Sequence, residues 1–436
     1  MARSLTTRTI AVLSLVLMLI LAACGSQPAA QPTSAPAPSA PTDAPAATAP
    51  TEAPAPAPGG DAVTIRIWHQ WDGTYLDAIT QAFRDYEAAN PGVTIDLSRP
   101  DDVNNALQVA IPAGEGPDII GWANDQIGQS ALVGNIVPLD DYGITMDFLT
   151  STYEPAAVNG VVWQDRIWGL PETQEGIALI YNRAVVDEAS LPTDLDGLLT
   201  AAQEFRAANP DQAYVCNQGF GGADAYHVAP IYFGFGVPSY VDDTGAVFVN
   251  TPEMIAGGEY LAALSQVSFA ENSYDICQAA LAEGKVAMWW TGPWAVASVE
   301  ADGVDYGILP MGSPFVGIKT LLMTKNAVDR GNQDVALDIM RYFTSAEVQT
   351  QLALTNKTIP AATAALNNPE VQALASLAGF GASLNAGIPM ANTPFASAQW
   401  GPVGDASVAI WNGTQAPAEA LEAAAAAIET AIMQMQ

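Results

Sequence analysis

The chain has 436 residues, half of them hydrophobic, and a formal charge of −32 from 46 acidic against 14 basic side chains. That balance excludes the basic footprint of a nucleic-acid binder and argues against an anionic ligand drawn in by charge. Roughly 375 residues follow Asp61, enough for two domains or one bilobed unit with real cores.

The N-terminus reads as a leader. Arg3 and Arg8 form a basic start, and residues 9–22 form an apolar run too short for a comfortable membrane span. The run ends in Leu21-Ala22-Ala23-Cys24, the pattern of a lipobox, so residues 1–23 are expected to be a lipoprotein signal peptide and Cys24 the lipidated residue. Residues 24–60 carry Cys24 and then Pro, Ala, Ser and Thr with almost no large apolar side chain. Such a segment cannot offset its ordering entropy by burial and reads as a disordered linker. Cys216 and Cys277 remain; an exported context permits a disulfide, with two buried free thiols as the alternative.

The body opens with an expected strand, Val63–Trp68, and a turn over His69–Gly73. A helix then carries Leu76, Ile79, Phe83 and Tyr86 at spacings of three and four. Asn90-Pro91-Gly92 stops it, and Val93, Ile95 and Leu97 alternate as the next strand. This β-α-β unit predicts mostly parallel sheets flanked by helices. The pattern returns in a helical 101–113 before a short strand at Asp118–Ile120, and in Ile276–Glu283 before Val286–Trp290. Residues 333–355 and 417–433 also read as helical, and no internal repeat is found.

Acidic and aromatic residues gather where strands end: Trp71 and Asp72, Trp122 and Asp125, Glu175, and Trp294. Ligands of open α/β sheets bind at the carboxyl ends of strands. Indole faces suit the C–H faces of sugar rings, and carboxylates satisfy hydroxyls that both donate and accept. A tryptophan taken alone is more often core than platform, but ten in one chain is generous.

Several stretches carry a specific resemblance. They are Ile67-Trp68 with Asp72-Gly73, Ala113–Asp125, Trp168–Pro171 with Glu175 and Ala178–Asn182, Thr291–Ala295, Tyr306–Pro310, Pro314–Gly317, and Met390–Pro394 leading to Trp400. In this order and spacing they resemble the maltose/maltodextrin-binding proteins of ABC sugar importers, over about 62–434. The resemblance implies a two-lobed periplasmic-binding-protein-like α/β fold joined by a multi-strand hinge, with lobe one at 62–173 and 317–366 and lobe two at 174–316 and 367–436. It implies that Asp72, Asp125, Glu175 and the neighbouring Asp224 bind hydroxyls, and that Trp122, Tyr226, Trp294 and Trp400 stack on the ligand. It further implies a monomeric receptor, without metal or cofactor, held outside the cell by the Cys24 lipid, that delivers an oligosaccharide to a permease by hinge closure.

Some positions depart from the family. Gly73, Gln126 and Gly404 stand where the maltose binder has cationic residues, and Asn104 and Asn105 replace an acidic pair. A glycan ligand stays expected, while maltose itself is only one candidate. Trp71 is extra and is expected to add a stacking face. His69 is expected either at the cleft or on the loop surface.

Other classes have less support. Four of the acids could supply a glycosidase pair, but that needs a fixed separation and one raised pKa. The only histidines, His69 and His227, form no metal-spaced cluster with cysteine. Gly219, Gly221 and Gly222 lack the Lys-Ser/Thr sequel of a phosphate loop. The competing receptor class holds another neutral or cationic solute in an aromatic cage.

Overall fold

The computed structural model describes residues 62–101, 103–269 and 271–435. The leader, the lipidation expected at Cys24 and the Pro/Ala-rich segment lie outside the described residues.

Strand β1 (Val63–His69) buries Ile65, Ile67 and His69 on one side, the period-two pattern of a half-covered strand. Helix α1 (Gly73–Ala89) follows, its first amide capped by the Asp72 carboxylate. It buries Tyr75, Ile79, Ala82, Phe83 and Tyr86. Leu76, expected inside, is half-buried, because the α1 face is rotated to send Tyr75 inward to a buried acid, Glu172. Strand β2 (Val93–Ser98) returns parallel to β1, with Val63 opposite Val93. Helix α2 (Val103–Ala110) then leads to β3 (Ile119–Ala123), parallel to β1 on its other side.

The remaining strands are a hairpin, β4 (Val162–Trp163) and β5 (Arg166–Ile167), then β6 (Gly169–Glu175), β7 (Ala178–Asn182), β8 (Ala213–Cys216), β9 (Val286–Thr291), β10 (Tyr306–Leu309), β11 (Phe315–Met323), β12 (Ile359–Pro360) and β13 (Ile388–Pro389). One sheet has the order β12-β6-β11-β3-β1-β2, with β13 beside the start of β11; the second has the order β10-β7-β9-β8. Mostly parallel describes the β2-β1-β3 core and the β8-β9 pair; elsewhere the two sheets are mixed. The reason is topological. β6 carries the chain out of the first sheet and β11 carries it back, so the two pair antiparallel, Gly317 opposite Glu175.

Two lobes result, each with its own core. The first gathers Ile67, Phe83, Ile119, Leu170, Leu322 and Phe343. The second sheet is covered on both faces: Trp290 packs with Tyr232, Tyr240 and Ile410, and Trp289 with Cys216, Cys277 and Phe380. The backbone changes core between Leu170 and Ile177 and again between Phe315 and Ile318; further on, Ala353 and Ile359 already pack with the second lobe before Val371 does. The helical run expected over 333–355 is two helices, Gln333–Phe343 and Ala346–Asn356, because Ser345 caps the second and breaks the first. Cys216 and Cys277 are joined by a disulfide, with Cα atoms 5.5 Å apart, linking the end of β8 to helix Tyr274–Ala282.

Candidate functional site

Between the two lobes lies a cavity of about 1020 Å³, and all eight of the candidate residues line it. Ligand pockets commonly hold roughly 300–1,000 Å³, so this one has room for more than a single small solute.

The first lobe supplies strand ends. Asp72 follows β1 and is largely exposed at the mouth; its ion pair with Arg99 holds its carboxyl below the usual range. Trp122 is the penultimate residue of β3, half-buried and anchored by the Thr320 hydroxyl donating to its carbonyl at 3.0 Å. Asp125 sits one turn on, in the short helix Asn124–Gln126, and is almost fully buried. The indole N–H of Trp400, from the other lobe, donates to Asp125 Oδ2 at 2.9 Å, and the Gln126 amide donates to the same oxygen at 3.0 Å. Burial pushes the Asp125 carboxyl up to about 6. Glu175 closes β6 at the floor, where burial likewise raises its carboxyl above the ordinary value.

The second lobe supplies aromatic faces. Asp224 caps helix Ala225–Gly234 through the amides of Tyr226 and His227. Burial disfavours its charge, but His227 outweighs that and keeps the carboxyl below the usual range. The ring of Tyr226 lies parallel to Phe315, centroids 6.1 Å apart, and is 6.4 Å from Trp294. Phe315 also meets the edge of Trp400 at 5.4 Å, so one buried ring backs two of the platforms. Trp294 leaves β9 through Gly292, where a Cβ would come within 2.1 Å of the indole; only glycine lets that ring fold back over the chain.

Two expectations are corrected. Trp71 is 2% exposed and belongs to the first core: it packs on Phe83 and Phe343 and donates its N–H to Glu172 at 3.2 Å, so its face is not available for stacking. His69 is neither at the cleft nor on a loop surface. It is buried as the last inward residue of β1, stacked on Trp71 at 5.0 Å, and burial lowers its pKa to about 4. Gly404 has a packing reason, since a Cβ there would stand 2.7 Å from the backbone of Ala223.

Lining residues that the sequence reading missed include Lys319, Gln218 and His227. The Trp289 indole, a pure donor, bonds Gln218 Oε1 at 3.2 Å, which turns the Gln218 amide N–H₂ toward His227 Nε2 at 2.9 Å. His227 Nδ1–H therefore faces Asp224 Oδ2 at 2.7 Å. The Asp224-to-His227 spacing at a helix start was the available clue; Gln218 had none. Glu172 was also missed. It is wholly buried, accepts from Trp71 and Tyr75, and burial pushes it up to about 7.

The protonated form of Glu172 thus favours the folded chain below the ordinary value of about 4.5, and that contribution is lost as pH rises through about 7. Glu172→Gln is therefore expected to flatten the fall in melting temperature between about pH 5 and 8. Melting curves across that range check this; an unchanged slope removes Glu172 as its source.

Comparison with known proteins decides the family. The model of bacterial extracellular solute-binding proteins matches residues 81–379. A maltotriose-binding protein of Pyrococcus abyssi is 31% identical over 353 residues, 77% of this chain and 75% of its own. The chain belongs to this family.

A second relative of this solute-binding protein, a galactooligosaccharide-binding protein of Bacillus subtilis, is 24% identical over 73% of this chain and 78% of its own. Among solved structures, the maltose/maltodextrin-binding domain from Bdellovibrio bacteriovorus bound to maltotriose superposes with a TM-score of 0.78. It shares 22% identity and is matched over 85% of this chain and 100% of its own. The two-lobed fold is shared with that binding domain, and the family is one of extracellular solute-binding proteins.

Proposed function

We propose that the protein captures a neutral oligosaccharide of the maltodextrin type in the interlobe cleft. The observation that carries this is the alternation around one cavity of four aromatic side chains, Trp122, Tyr226, Trp294 and Trp400, with the carboxylates of Asp125 and Glu175. Rings cover the apolar faces of sugars while acids and amides take their hydroxyls. The Asp125–Trp400 bond already ties one lobe to the other, which fits closure of the lobes about the crossing strands. The maltotriose named for the Pyrococcus relative and for the Bdellovibrio complex supports the choice of sugar class.

The finer parts of the reading are the two lobes at 62–173 with 317–366 and at 174–316 with 367–436, a lipid on Cys24 that holds the receptor at the membrane, and delivery of the loaded form to an ABC permease. Titration of residues 61–436 with maltose, maltotriose, galactooligosaccharides and a quaternary amine, followed by tryptophan fluorescence, tests the central claim. Saturable quenching by a maltodextrin is the expected result. Quenching by the amine alone would replace the sugar reading with an aromatic cage.

A further inference from the structure

β11 carries one charged side chain, Lys319, in a run whose only other polar side chain is Thr320. Its register sets it beside Ala123 of β3 and Thr173 of β6, at the floor of the cleft. Gly317, two residues earlier, lines the same cavity and has no side chain to cover it. The Lys319 side chain is 17% exposed, and its closest charged partner is Glu175 Oε2 at 3.6 Å, beyond a direct hydrogen bond. A half-desolvated ammonium has three donors and no acceptor, so leaving those donors unmet is costly.

Three buried acids surround this cation, and they are not equivalent. Both oxygens of Glu172 are taken, one by Trp71 and one by Tyr75. Asp125 Oδ2 already accepts from Trp400 and Gln126. Glu175 Oε1 has only a long contact with Thr173 at 3.5 Å, and Oε2 faces the Lys319 ammonium. Glu175 and Lys319 thus line the cavity together, held to each other and to Thr173 by long contacts only.

We propose that Lys319 and Glu175 form a donor–acceptor pair that reads two neighbouring hydroxyls of the bound sugar, which makes Lys319 a specificity-determining residue. The inference rests on the sugar reading above and deepens it. Each hydroxyl can accept from the ammonium and donate to the carboxylate. A site built on such bonds rejects analogues that lack one hydroxyl, because its own buried groups are then left unpaired. The same ammonium repels a quaternary amine from the floor.

Calorimetric titration of the unaltered chain, Lys319→Met and Lys319→Arg with maltotriose and its monodeoxy analogues tests the pair. Lys319→Met is expected to lose about tenfold to a hundredfold in affinity, with Lys319→Arg recovering part of it. At least one deoxy analogue is expected to bind the unaltered chain more weakly than maltotriose yet show no such penalty in Lys319→Met. Circular dichroism confirms that each variant is folded before titration. Unchanged affinity in a folded Lys319→Met overturns the pair while leaving the sugar reading intact. So does full recovery of its affinity at about pH 5, since Lys319 would then act only by balancing the carboxylates. No sugar binding by the unaltered chain overturns both.

Discussion

Replacing Trp294 by alanine is expected to weaken maltotriose binding by about 1–3 kcal/mol, the worth of an aromatic face buried against a ligand. Trp294 meets Tyr226 at 6.4 Å and His227 at 5.9 Å, so its ring is held in place before the ligand arrives. Trp400→Ala is expected to cost more. It removes a platform and also the N–H that donates to Asp125 Oδ2 at 2.9 Å. That leaves a buried carboxylate with Gln126 as its remaining side-chain donor, a further loss of about 1 kcal/mol or more. Trp400→Phe separates the two parts. It keeps a ring, loses the donor, and is expected to raise the Asp125 pKa further, since the bond from Trp400 is one of the interactions that lower it. Calorimetry on the three variants, with the pH profile of Trp400→Phe, reads both effects. Unchanged affinity in Trp294→Ala and Trp400→Ala would remove these faces from the binding site.

The second large effect is on stability. The Cys216–Cys277 bond closes a loop across a sequence separation of 61 residues. By the chain-entropy argument, a loop of that length stabilises the folded state by about 4 kcal/mol. The bond joins the end of β8 to the helix that presents Tyr274, Asp275 and Gln278 to the cleft, so it fixes a cleft wall as well as a core. Cys216→Ala with Cys277→Ala is expected to lower the melting temperature by several degrees and to remove the response to reductant. Both sulfurs are wholly buried, so reductant acts through partial unfolding and slowly. A thiol assay finding two free cysteines in denatured residues 61–436, which lack Cys24, would contradict the bond outright.

Much of the site was legible in the residues because its parts obey local rules. Strand patterns place β1, β3 and β9, and residues at or just past a strand's carboxyl end tend to border the crevice. Asp72, Asp125 and Trp294 follow strands and Trp122 stands at the end of one, and the cavity collects all four. The resemblance supplied Tyr226 and Trp400, which stand on helices far along the chain.

Tertiary structure decided what depends on distant partners. Trp71 follows β1 and Trp122 stands near the end of β3, and both border the cavity, yet Trp71 is buried in the first core while Trp122 stays half-exposed. The difference is Glu172, some hundred residues on, which draws the Trp71 N–H inward. Asp125 and Glu175 have raised pKa values because the folded chain buries them. Lys319 looks like a stray charge in an apolar strand until β6 brings Glu175 beside it. Sheet direction at the crossings follows the same logic, since it depends on where a strand goes rather than on what it contains. Local pattern therefore determined the elements and the chemical character of the cleft. Long-range packing determined which side chains are spent on one another and which are left lining the cleft.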